Sequence, residues 1–433
     1  MSRALKNHAA TWVSVVPAPV DPQVNTGAVA NSYVRLHNVV VEADQFEAYY
    51  NRISNSVLYL LHVGLLDDVC TAPSMLGAWE AYKAVNRHVA ASCISLAGVA
   101  GHVLVQDYHL SLAPAMIRAA RPDVGVAHFS HCTWAAPADF SRLPRALADE
   151  LISGMLGADL LGFYARRWAN DFLRSCALAG FRVSLEDGVV WAPDGRCVPV
   201  RAYPLGVDPV ELRREAISPA AMRHRRMLEE LSSGRKLVVR VERMDPVKNL
   251  VRGLDAFAAF LREHPRMHDR ITHFVLACTT RPGIAAYERY RAEVITRVRA
   301  INTEFGSSTW RPVVLAERPD YFLGLAALAL ADIVVVNSLR DGMNIVTKEA
   351  AVVNERDAVL ILSRDAGAAE DLGCCALLVD PWSTPELTAA IGTALAMSNA
   401  ERQRRAEVMR SAAASISPRE WLAAQRRDLI GIR

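Results

Sequence analysis

Four apolar runs in this chain are each followed at once by side chains able to do chemistry. "HVLVQ" (102–106) gives way to Asp107, Tyr108 and His109, and "VGVAHF" (124–129) to Ser130, His131 and Cys132. "KLVVRVE" (236–242) precedes Arg243, Asp245 and Lys248, with Pro246 unable to continue a strand. "DIVVVN" (332–337) runs into "SLRDGMNIVTKEA", which carries Asp341, Gly342, Met343, Asn344, Ile345, Val346 and Glu349. Each residue has an ordinary structural reading. A histidine after a strand is more often a satisfied structural group than a catalyst, and Asp107 would cap the next helix. Arg243 and Lys248 would form surface ion pairs, commonly worth about 1 kcal/mol or less. Asp341 and Glu349 would be first-turn carboxylates favoured by the helix dipole. None of these readings explains why all of them sit where strands end.

The chemistry that fits is displacement of a phosphorylated leaving group. Two cations five residues apart in one loop, Arg243 and Lys248, can neutralise a developing diphosphate charge. Backbone N–H groups around Asn344–Val346, at a helix start, can take the same phosphates. In that helix Ile345, Glu349 and Val352 share a face. A carboxylate on an otherwise apolar face needs partners, and the hydroxyls of a ribose would supply them. The paired-aspartate D-x-D signature of metal-dependent transferases is absent, so no metal is expected.

The elements that must hold these groups follow from periodicity. The four runs, with "THFVLA" (272–277), "RPVVLA" (311–316) and "AVLILS" (358–363), are nearly continuous apolar stretches, as parallel strands covered on both faces should be. Helical patterns lie between them; "NLVRGLDAFAAFLREH" puts Leu250, Leu254, Phe257 and Leu261 on one face. This β-α-β-α order predicts an α/β fold with parallel sheets. At 433 residues two domains are the default. Pro204, Gly206 and Pro209 supply linker chemistry, placing a first domain over 1–205 and a second over 206–414. Residues 415–433 would form a C-terminal helix returning to the first domain. The ligands are expected at the C-terminal strand ends, in a cleft between two doubly wound domains.

Composition narrows the class. A net charge of +3 without a long basic block argues against a nucleic-acid partner. The Arg223–Arg226 and Arg402–Arg405 clusters read as solvated helix faces, and the Ala/Arg-rich tail over 405–427 as plain helix. No secretory leader is visible, and "FLGLAALALADIVVVNS" is broken by Asp332, so no membrane span is expected. Eight scattered cysteines without a C-x-x-C pair suit a reduced, cytoplasmic protein.

These stretches, with "FEAYYNRISNSVLY", "VQDYHL", "YPLGVDP", "CTTRPGIAAYERYR" and "LSRDAGAAEDLG", resemble the trehalose-6-phosphate synthases over nearly the whole chain. That resemblance implies the GT-B fold, two Rossmann-like domains, and retaining transfer of a hexose, glucose first, from a nucleoside diphosphate sugar to a phosphorylated sugar. UDP is favoured over GDP, and no other cofactor is implied. The substrates would be small molecules, and a homo-oligomer is left open. By the resemblance Arg243 and Lys248 hold the diphosphate with backbone at Asn344, Ile345 and Val346. Glu349 binds the ribose, and Asp341, Gly342, Met343 and Asn344 contact the transferred sugar. His131 sits over that sugar, Asp107 binds the acceptor, and Tyr50 and Arg281 contact the acceptor phosphate.

The chain also departs from the family. The family opens with a strand ending in Asn-Arg and a Gly-Gly loop that approaches the donor. Here the sequence reads as starting at the following helix, "MSRALKNHAATW", with neither motif present. Tyr59 stands where an acceptor-side Trp is usual, and "HCTWA" replaces a proline-rich run beside His131. "VVNERDA" (352–358) is more like the validamycin-type pseudo-glycosyltransferases. A cyclitol, pseudo-sugar or nucleoside-like acceptor in natural product biosynthesis is therefore the second expectation. A catalytically silent sugar-phosphate binder is the third.

Overall fold

Residues 4–5, 9–19, 34–65, 73–232 and 234–432 are described by a computed structural model. Two strands, β1 (Ala10–Pro17) and β2 (Val34–Val41), pair in parallel as a small separate ladder. The stretch read as an opening helix thus turns into a strand at Ala10, because Thr11, Val13, Val15 and Val16 are β-branched and favour pleated backbone.

The first large sheet is built from β3 (His102–Gln106), β4 (Gly125–Ser130), β5 (Leu160–Phe163), β6 (Val183–Ser184), β7 (Val189–Trp191) and β8 (Cys197–Ala202), in the order β3-β4-β5-β8-β7-β6. From β3 to β8 the pairing is parallel; β7 and β6 add an antiparallel edge. All of β4 and β5 is buried, which is why these runs carry almost no polar alternation.

The second sheet is built from β9 (Lys236–Arg243), β10 (Ile271–Cys278), β11 (Val313–Ala316), β12 (Ile333–Val336), β13 (Val359–Ser363) and β14 (Leu377–Val379), in the order β11-β10-β9-β12-β13-β14, parallel throughout. The helix Leu250–Glu263 buries Leu250, Leu254, Phe257 and Leu261 in the core under this sheet, as its spacing predicts. The helix Tyr321–Leu330 feeds β12, and Asp332 between them accepts the Leu237 N–H at 2.9 Å.

The contacts divide the chain into two compact units, Met1–Leu205 with Pro418–Arg433, and Gly206–Ser417. The expected single tail helix is two, Asn399–Ala413 and Pro418–Ile432, parted where Pro418 has no N–H to give. Trp421 on the last helix is buried, donates from Nε1 to the Tyr203 carbonyl at 3.1 Å, and meets Phe129 edge-on at 4.8 Å. Arg402 is not on a solvated face: it is buried and donates to the Asp332 carbonyl at 3.0 Å.

Inside the first unit a cavity of about 1240 Å³ lies between β1 and the sheet-edge strand β3. Val13 and Val15 line one side, Val103 and Val105 another, and Tyr50, Gln106 and His109 stand along it.

Candidate active site

In the first unit the functional side chains gather where β3, β4 and β5 end. Asp107 leaves β3 with φ 69° and ψ 170°, a left-handed backbone that costs a non-glycine residue roughly 1–3 kcal/mol. Its carboxylate does not cap the following turn; Oδ1 accepts the His131 N–H at 3.1 Å, joining the ends of β3 and β4. Burial raises its pKa, opposed by His109. Tyr50 stacks on His109 with ring centroids 5.4 Å apart and stays about one-third exposed.

His131 is held at both nitrogens. Gln106 gives its amide N–H groups to the Leu104 and Val105 carbonyls, so its Oε1 faces His131 Nε2 at 2.8 Å as an acceptor. Nε2 therefore carries the proton, and Nδ1 accepts from the Tyr164 hydroxyl at 2.6 Å. Burial lowers the pKa to about 4, so the imidazole is neutral at pH 7. It is an orienting group here, with neither the pKa nor the open nitrogen a general base needs. Tyr59 is buried against Tyr108.

In the second unit the ends of β9, β12 and β13 converge. Asp341 bridges to Ala366, and its backbone N–H donates to the Asp365 carbonyl at 3.1 Å. Its carboxylate collects Lys248 Nζ at 2.6 Å, Asn344 Nδ2 at 3.0 Å and the Ser338 hydroxyl at 3.3 Å. Burial alone would push the Asp341 pKa up, yet Lys248 carries it below the usual carboxylate range. Burial works against the Lys248 charge too, and Asp341 with Glu242 raises its pKa regardless. Both groups are ionised at neutral pH.

The turn that follows is packed tightly: a Cβ on Gly367 would lie 2.0 Å from the Gly342 carbonyl oxygen. Asn344 then adopts φ 70° and starts the helix Ile345–Val353 without a side-chain cap. An uncapped helix start suits an anion. Met343 is buried, while Ile345, Val346 and Glu349 are partly accessible on the first turns. Lys348, in contrast, is buried and paired with Asp371 at 2.5 Å, a structural role. Arg243 is half exposed at the end of β9, and Arg281 lies in the loop after β10.

Several supporting groups escape sequence reading. Arg240 and Glu242 sit inside β9 and form a fully buried pair at 3.3 Å, and Arg240 also donates to the Lys248 carbonyl. Their only sequence signal is a charged residue at alternate positions of an apolar strand. Gln106 and Tyr164, the partners of His131, carry no signal at all. "VVNERDA" has a structural account: Asn354 accepts the Arg356 and Ala358 N–H groups and donates to the Leu328 and Ala331 carbonyls. Among the described residues no group of three His, Cys, Asp or Glu side chains is placed to hold a metal ion, and no helix is long and apolar enough to cross a membrane.

Two Rossmann-like units, each with its polar groups at C-terminal strand ends, define a protein of the GT-B class. The chain belongs to glycosyltransferase family 20, whose description it matches over residues 1–430. It is 32% identical over 412 residues to a bifunctional trehalose-6-phosphate synthase/phosphatase of Thermoproteus tenax, covering 94% of this chain and 55% of that one. A trehalose-6-phosphate protein from E. coli bound with UDP-2-fluoro glucose superimposes with a TM-score of 0.88 at 27% identity, covering 98% and 94% of the two chains. A UDP-forming α,α-trehalose-phosphate synthase from Burkholderia xenovorans in complex with glucose-6-phosphate gives 0.88 at 25% identity, covering 99% and 94%. The chain spans about half the length of the first curated relatives it matches.

Proposed function

We propose that this chain transfers glucose from UDP-glucose to glucose 6-phosphate with retention, releasing UDP and trehalose 6-phosphate. The sugar C1–oxygen bond to the β-phosphate breaks as the acceptor hydroxyl bonds to C1. The hydroxyl proton passes to the departing phosphate oxygen. Such a reaction needs fixed charge and positioning rather than a protein nucleophile. The observation that carries this reading is the Lys248–Asp341 pair beside an uncapped helix start and a half-exposed Arg243.

In this reading Arg243, Lys248 and the N–H groups at Asn344–Val346 take the diphosphate, Glu349 the ribose, and Asp341 with Gly342, Met343 and Asn344 the sugar. Asp107 takes an acceptor hydroxyl, while Tyr50 and Arg281 take the acceptor phosphate. His131 shapes the sugar pocket as a neutral ring. No cofactor is assigned. Seven free cysteines among the described residues suit a reducing, cytoplasmic setting.

The test is product analysis by mass spectrometry with UDP-glucose and GDP-glucose against glucose 6-phosphate, glucose and a cyclitol phosphate. Trehalose 6-phosphate from the UDP-glucose and glucose 6-phosphate pair supports the proposal. UDP-sugar binding without turnover for any acceptor defeats it in favour of a silent binder.

A further inference from the structure

Asp245 has a fully buried carboxylate between two guanidinium groups. Its Oδ2 lies 3.1 Å from Arg281 Nη1 and 3.6 Å from Arg243 Nη2. Oδ1 accepts the Val247 N–H at 3.2 Å, which fixes the carboxylate plane. The backbone is tied in as well: the Asp245 N–H donates to the Arg243 carbonyl at 2.9 Å, and the Lys248 N–H to the Asp245 carbonyl at 2.8 Å. The same Arg281 Nη1 also donates to the Tyr287 hydroxyl, and the guanidinium lies over the Tyr287 ring at 5.0 Å. It keeps a left-handed backbone, φ 50°, which only a surrounding that over-determines it can maintain.

Two like charges brought to one carboxylate oxygen would otherwise repel, and the oxygen sets the distance between them. In the proposed function these cations serve different substrates, Arg243 the donor diphosphate and Arg281 the acceptor phosphate. We propose that Asp245 is a positioning residue that registers the two substrates against each other by holding both guanidinium groups on a single oxygen. It touches neither substrate. Its charge opposes phosphate binding, since it competes with phosphate oxygens for the same N–H donors. Its contribution therefore lies in turnover and not in affinity. This inference rests on the reading of Arg243 and Arg281 above.

The Asp245→Asn variant keeps the shape and the Oδ1 acceptor while removing the charge. The expected result is a kcat lower on the order of 10- to 100-fold with glucose 6-phosphate, no rise in KM for UDP-glucose, and UDP binding in calorimetry at least as tight as wild type. Transfer to unphosphorylated glucose, which makes no demand on Arg281, should fall less. An unchanged kcat overturns the inference, as does a raised KM with kcat intact or an equal loss with both acceptors. If the variant does not fold, Arg243→Lys, Arg281→Lys and the double variant replace it. Non-additive losses in kcat are then expected, and additive losses overturn the inference. Failure of the wild type to bind UDP would instead defeat the functional reading itself.

Discussion

Lys248 Nζ stands 2.6 Å from Asp341 Oδ2, joining the end of β9 to the turn after β12. The pair links a proposed diphosphate ligand to a proposed sugar ligand, and both members lie at strand ends where neither could satisfy its charge alone. Lys248→Ala would leave the Asp341 carboxylate buried without its cation. We expect a stability loss of about 3–5 kcal/mol in denaturant titration and a fall in kcat of roughly 100- to 1000-fold. A variant with normal stability would show that Asp341 is not compensated by Lys248.

The same pair predicts a flat stability profile around neutrality. The depressed Asp341 pKa gives stability that is present above the unfolded carboxylate value and lost as pH falls through the folded one. The raised Lys248 pKa gives stability that is complete below the unfolded amine value and lost as pH rises through the folded one. Neither boundary falls near pH 7.

Histidine burial adds an acid-side slope. Burial lowers His128 and His131 from 6.5 to about 4, and burial with the Arg240 charge lowers His273 to about 3. Depressed folded values mean that the unfolded chain takes up protons first. Stability is thus full above pH 6.5 and falls as pH drops from there toward 4. Scanning calorimetry from pH 7.5 to 5 should show a falling Tm. His273→Leu, at a site where neither ring nitrogen has a hydrogen-bond partner, should make the slope shallower. A Tm independent of pH over that range would contradict the buried, neutral state.

Glu349 tests the nucleotide side separately. Glu349→Ala should weaken UDP binding in calorimetry on the order of 10- to 100-fold, the value of a charge-assisted hydrogen bond. Its thermal stability should stay near wild type, because Glu349 is only partly buried. Unchanged UDP affinity would remove it from the ribose.

Strands that are buried on both faces were legible because apolar residues dominate them: β4, β9, β10, β12 and β13 coincide with apolar runs, although Arg240 and Glu242 lie within β9, His273 within β10 and His128 within β4. β2 was not, since Arg35, His37 and Asn38 break the run and its burial is only partial. β6 and β7 are too short for any periodicity to register. At the candidate site, cations and carboxylates stood out by their place after strands. Their supports did not: the Gln106 amide fixes the His131 tautomer, and Asp245 reaches Arg281 across 36 residues of chain. Such pairings depend on which strands are neighbours, and sequence order conceals that when β9 lies between β10 and β12.

Trp421→Ala should cost the first unit about 3–5 kcal/mol. It would empty the space against Phe129 and remove the bond to the Tyr203 carbonyl. Thermal unfolding followed by circular dichroism should then show an early transition that UDP does not shift. A single transition at the wild-type temperature would mean that the last helix is dispensable.

That helix has a consequence for synthesis. The second unit is one unbroken segment, Gly206–Ser417, inserted into the first, whose last piece is Pro418–Arg433. A nascent chain can complete the inserted unit while the enclosing one still waits for Trp421 and for the Asp428 carboxylate that receives the Tyr203 hydroxyl. In order of synthesis, the inserted unit is therefore complete before the segment carrying Trp421 and Asp428 is made, as suits domains that fold as units.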